Sequence, residues 1–200
     1  PGGTIVVIDS AASLFCNYYA EILRAEGLNA FAVADIGSVD DQSLAAYDLV
    51  ILAETPLTSG QVAMLTDWVD AGGNLIAMRP DPGLADLLGV AATGQTLVEG
   101  YLRVDTAAPP GNGITGETMQ FHGTASRFGL AGAGSVATLY ADATTPTSNP
   151  AVTLRDVGVN GGQTAAFAYD LATSIVFTRQ GDPAWADGER VGVARRRAAG

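Results

Sequence analysis

Trp68-Val69-Asp70-Ala71-Gly72-Gly73-Asn74-Leu75-Ile76-Ala77-Met78 holds the change of structure on which the fold turns. Up to Asp70 the apolar residues keep helical spacing, with Val62, Leu65, Trp68 and Val69 in one stripe. Thr58 opens that helix with a capping-box pattern, because Gln61 can return a hydrogen bond to the cap backbone. Gly72 and Gly73 stop it, and residues 74–78 follow as an apolar run of strand type. A helix that passes through one tight turn into a buried strand is half of a β-α-β unit.

The preceding residues repeat the pattern. Residues 4–8 are a continuous, largely β-branched run, as expected of a strand buried on both faces of a parallel sheet. Asp9 and Ser10 follow as loop or cap, and Leu14, Phe15, Tyr18, Ile22 and Leu23 then recur at helical spacing until Gly27. Residues 30–33 and 49–53 read as further strands, and residues 84–88 as a short helix closed by Gly89. Strands alternating with helices imply parallel pairing through right-handed crossovers. The expectation is an α/β, flavodoxin-like three-layer sandwich with a mostly parallel sheet.

After Gly89 glycine, proline and threonine become frequent. Residues 97–104, 118–122, 136–140, 151–154 and 164–169 are the strand candidates, with loops at 109–113 and 144–150, and Asp170 caps a last helix running to Phe177. This β-rich half is expected to extend the same sheet. Residues 1–180 then form one domain, and 181–200 an irregular tail or truncated continuation.

Composition narrows the function. Hydrophobic residues make up 48% of the 200 and charged residues 16%, the balance of a folded chain. The net charge of −11 repels phosphate backbones, and every Lys/Arg position is Arg, so nucleic acid is not expected as a partner. The cluster Arg195 to Arg197 reads as a solvated tail. Cys16 is the single cysteine, which excludes an intrachain disulfide and multi-cysteine metal sites. No apolar run reaches the ~18 residues of a membrane span, and Pro1-Gly2-Gly3 leads into a strand without a signal-peptide pattern, so any targeting segment is expected to be upstream or removed.

Three local patterns carry a resemblance. They are Tyr47-Asp48-Leu49-Val50-Ile51-Leu52-Ala53, the part of the first-quoted stretch from Trp68 to Ile76, and Asn149-Pro150-Ala151-Val152 followed by Gly161-Gly162-Gln163-Thr164-Ala165-Ala166-Phe167. With the order of elements, they resemble the class I glutamine amidotransferase-like superfamily, including non-catalytic domains of that kind in β-galactosidases and in secreted actinobacterial proteins. The resemblance implies a cysteine on a sharp turn after residues 74–78, with a His-Glu pair near Tyr169-Asp170-Leu171. This chain has Met78-Arg79-Pro80 at the turn and neither partner at the later place. Glutamine hydrolysis is therefore not expected. Gln120-Phe121-His122-Gly123 and the stretch from Arg179 to Trp185 resemble large secreted proteins with carbohydrate-related modules, which implies an accessory domain of a longer, exported chain.

Candidate sites divide between function and packing. Asp9, Ser10, Glu54, Thr55, Arg79 and Asp81 follow strands expected to be parallel, so they share one rim and could line a polar pocket, although caps and ion pairs would also account for them. Cys16 near a helix start could be reactive, but Phe15 and Tyr18 beside it favour packing. His122 is the only histidine and needs a constellation to act. Residues 129–134 read as a turn rather than a phosphate loop and residues 9–13 lack a flavin-binding pattern, so no cofactor is expected, and one histidine with scattered carboxylates gives no metal-ligand spacing. Trp68 and Tyr19 read better as core than as sugar platforms, and Trp185 as a contact to a neighbouring module. The leading expectation is an interaction or ligand-pocket module that partners neighbouring modules of its own polypeptide. The alternatives are a divergent hydrolase using Cys16 or Ser10 with His122, and a homo-oligomerisation domain.

Overall fold

A computed structural model describes residues 4–10 and 16–181. Strands β1 (Ile5–Asp9), β2 (Phe31–Asp35), β3 (Leu49–Leu52) and β4 (Asn74–Met78) alternate with helices α1 (Cys16–Ala25), α2 (Asp41–Leu44) and α3 (Ser59–Asp70). Helix α4 (Ala85–Leu88) ends at Gly89, whose φ of 64° is the left-handed cap that the sequence pattern implies. Seven further strands follow: β5 (Val90–Val98), β6 (Tyr101–Val104), β7 (Met119–Gln120), β8 (Thr124–Leu130), β9 (Gly134–Tyr140), β10 (Pro146–Val157) and β11 (Gly162–Phe167). Helix α5 (Leu171–Gln180) closes the described chain, capped by the Asp170 side chain.

The sheet corrects the expected architecture. Nine strands run in the order β2-β1-β3-β4-β11-β10-β9-β6-β7, and β5 and β8 form a separate ribbon. β2, β1, β3, β4 and β11 are parallel, whereas β11-β10, β10-β9, β9-β6 and β6-β7 are antiparallel. With 39% strand and 26% helix among the described residues this is a mixed, mostly β structure and not a flavodoxin-like, mostly parallel sandwich. The physical reason lies in the connections. Strands β9, β10 and β11 follow one another by turns too short for a crossover helix, and only antiparallel pairing can be joined that way. The expected loop at 144–150 is the start of β10, whose prolines are accommodated by register shifts at Pro146, Pro150 and Val152.

Strand alternation sorts the core. Val6, Ile8, Val50, Leu52, Leu75 and Ala77 meet Leu65 and Val69 of α3 and Leu87 and Leu88 of α4 on one face. On the other face Val7, Ile51 and Met78 meet Tyr19 of α1 and Ala172 of α5. Burying each Val, Leu, Ile or Met side chain among them is worth about 1.5–3 kcal/mol. Trp68 is half-buried against the first cluster, as its stripe implied. Tyr19 is buried and its hydroxyl donates to the Asp170 carboxylate while accepting from Ala172 N, which pins α1 to the start of α5. Trp185 and Arg195 to Arg197 lie outside the described residues, as does the Cys16 side chain.

Two contacts fix how β11 enters. A Cβ on Gly73 would stand 2.3 Å from the Trp68 ring, and one on Gly162 would stand 2.1 Å from the Val69 carbonyl oxygen and 3.1 Å from that of Gly73. The end of α3 therefore rests on the first residue of β11 backbone to backbone. Gly162→Ala is expected to cost about 1–3 kcal/mol, read as a lowered urea midpoint. Tyr19→Phe, which leaves Asp170 and Ala172 short of a buried partner, is expected to cost about 1–3 kcal/mol in the same measurement.

Candidate functional site

The parallel strands bring their C-terminal ends to one rim, where open α/β sheets place ligands. Glu54 follows β3 and Arg79 follows β4, and Arg79 Nη1 lies 2.7 Å from Glu54 Oε1. Arg79 has φ 37°, a left-handed conformation that costs a non-glycine residue about 1–3 kcal/mol. The turn is held by a hydrogen bond from Arg79 N to Phe167 O at 2.9 Å and by the buried ring of Pro80. Asp81 joins two loops: one carboxylate oxygen accepts from Leu57 N at 3.1 Å and the other from Gly83 N at 2.8 Å. Thr55 is buried beside them. These groups line a cleft of about 280 Å³ whose other walls are Pro56, Pro80, Pro82 and Ser126.

Glu54, Thr55, Arg79 and Asp81 thus converge, while Asp9 and Ser10 stand outside that cleft. Asp9 pairs in register with Asp35, and burial followed by the Asp35 charge raises its pKa. The helix cap expected of Asp9 and Ser10 concerns residues 11–15, outside the described residues. His122 is drawn into a different knot. Its Nδ1 is 2.7 Å from one oxygen of Glu99, whose other oxygen accepts from Gly123 N, and its ring meets Phe177 edge-on at 6.5 Å. Among the described residues Glu99 is the other non-glycine residue at positive φ, 50°. Where the amidotransferase resemblance places a His-Glu pair, Tyr169 is buried with its pKa raised by burial, and Asp170 is engaged by Tyr19 and Thr173 as the α5 cap. Among the described residues no group of three or more His, Cys, Asp or Glu could hold a metal ion, and no helix is long and apolar enough to cross a membrane.

A second surface has no counterpart in the sequence reading. On the face shared with α1 and α5, those helices cover β1, β3 and the end of β4. Beyond them Ile76, Ala165, Val152, Leu154 and Val104 form an apolar groove of about 490 Å³, bounded by Pro110 and Ile114 of the loop after β6. Ile114 is 48% exposed, and Ile76, Val104, Val152, Leu154 and Ala165 are only partly buried. The available signal was Ala165 between Gln163 and Phe167, a small side chain on the part of the β11 face that lies beyond α1 and α5.

Burial raises the Glu54 pKa above the ordinary 4.5, opposed by Arg79 and reinforced by Asp170. The folded carboxyl then holds its proton to higher pH than the unfolded one, so the Glu54 contribution to stability is greatest at low pH and falls as pH rises upward from about 4.5. Asp40 and Asp142, lowered by hydrogen bonds, act in the opposite sense below the ordinary 3.8. Glu54→Gln is expected to gain stability relative to wild type as pH rises through the first window, in paired denaturant titrations. A relative loss would mean that the Arg79 attraction outweighs burial.

No family model matches the chain and no curated protein matches it. Among solved structures it is similar to a β-galactosidase from Bacillus circulans sp. alkalophilus, with 14% identity and a TM-score of 0.67 over 90% of this chain and 31% of that chain. It is also similar to the exo-β-1,4-mannosidase Op5Man5 from Opitutaceae bacterium strain TAV5, with 14% identity and a TM-score of 0.63 over 89% of this chain and 33% of that one. The mmIFT52 N-terminal domain matches over 96% of this chain and 100% of its own, with 15% identity and a TM-score of 0.61. The chain spans about a third of the length of these glycosidases. The expected likeness to a β-galactosidase domain therefore holds at the level of fold, and the amidotransferase assignment is not confirmed by these matches.

Proposed function

We propose that this chain is a non-catalytic accessory module of a larger, exported, carbohydrate-related polypeptide, and that it works by association through the bare face of its sheet. The observation that carries this reading is the groove over β4, β11, β10, β9 and β6, where a row of apolar side chains meets solvent. Exposed apolar surface of this kind marks interaction sites. A match to about a third of each glycosidase chain supports a module that sits beside others. Kinship with class I glutamine amidotransferases belongs to the same proposal, supported by the strained turn at Arg79, which stands where that family's resemblance places a nucleophile.

The neighbouring module of the polypeptide is the occupant we assign to this face, and in the isolated chain a second copy can take its place. Light scattering across a concentration series is expected to show self-association or, in a monomer, binding of an apolar fluorescent dye. Leu154→Asp, on the half-buried floor of the groove, should abolish whichever is seen without lowering the unfolding temperature. A wild-type chain that stays monomeric and binds no dye would overturn the reading.

A further inference from the structure

We infer that the rim cleft at Arg79 is a binding site for a small neutral ligand presenting two adjacent hydroxyl groups, of the polyol or monosaccharide class. The inference is independent of the association face, which lies on a flank of the sheet rather than at its rim. The cleft is already shaped. Three prolines stiffen its walls, and Asp81 ties the loop after β3 to the turn after β4 through its two carboxylate oxygens. Its volume of about 280 Å³ suits a small molecule.

The chemistry of the pair decides the ligand. A guanidinium has five N–H donors, and Arg79 spends one of them on Glu54 while its Nε is buried without an acceptor. The remaining Arg79 donors and the Glu54 carboxylate lie side by side on the same wall. A hydroxyl group both donates and accepts, so two adjacent ones can accept from Arg79 and donate to Glu54 together. An anion is disfavoured, because the lining carries one guanidinium against the carboxylates of Glu54 and Asp81, and the Asp170 charge also acts on Glu54. An ammonium is disfavoured because it offers Arg79 no acceptor. Ser126 of β8 also lines the cleft.

The test is saturation-transfer NMR on the whole chain with cis-1,2-cyclohexanediol, cyclohexanol, glucose, galactose, acetate and acetamide. The diol and at least one sugar should bind, with cyclohexanol and acetate weaker by about tenfold or more, the size expected from losing a hydrogen bond to a charged group. Arg79→Gly, which suits the left-handed turn, and Glu54→Ala should each weaken diol binding by about tenfold or more while retaining the wild-type circular dichroism spectrum. Leu154→Asp should leave it unchanged, which separates failure here from failure of the association reading. No diol binding at high millimolar concentration, equal binding by acetate or cyclohexanol, preference for acetamide, or retention of binding in both rim variants would overturn the inference.

Discussion

Strand β11 must satisfy two neighbours at once, running parallel to β4 and antiparallel to β10. It can do so only because Gly162 lets its first residue slip beneath the end of α3, where any side chain would strike the Val69 carbonyl. From that seat the rest follows. Phe167 O receives the N–H of Arg79 and holds the strained turn, and Ala168 O receives that of Ser126 and carries the β8 ribbon to the rim. Asp170 then begins α5 where Tyr19 can reach it. The parallel half supplies the rim, the antiparallel half supplies the bare face, and β11 is the seam that belongs to both.

Local signals in the sequence were read where the chemistry is local. The Thr58-Gln61 capping box, the stop at Gly72 and Gly73, the left-handed Gly89 and the Asp170 cap each involve neighbours within a few residues, and each stands as its pattern implied. The mixed sheet was not legible, because apolar runs report burial and say little about the direction of the partner. Strand β5 was missed at its start because residues 91–96 are exposed and polar or small, so no alternation marks them. β10 was hidden by Pro146 and Pro150, which argue against a central strand unless the ladder shifts around them, as it does here.

The site was half legible for the same reason. The loops after β3 and β4 could be placed on one rim from the order of elements alone, and Glu54, Thr55, Arg79 and Asp81 do meet there. Ser126 reaches the cleft through the pairing of β8 with β5 and its tie to Ala168, a long-range event that no spacing reveals. The Glu99-His122 pair is likewise assembled from two separate turns. The bare face required knowing that β9, β10 and β11 are joined without a helix between them, which is a fact about topology rather than about any residue.

The seam also imposes an order of events in time. β11 is made long after β4, and α5, which covers Val7, Ile51 and Met78, is made later still. Until the chain has grown past residue 180, the first four strands hold an apolar face open and β4 offers an unpaired backbone edge to any other strand in reach. Such non-local closure is slow, and its waiting intermediates are prone to aggregate or to exchange segments between chains. The arrangement that joins the two halves makes the newly synthesised protein dependent on β11 and α5 arriving before a neighbour does.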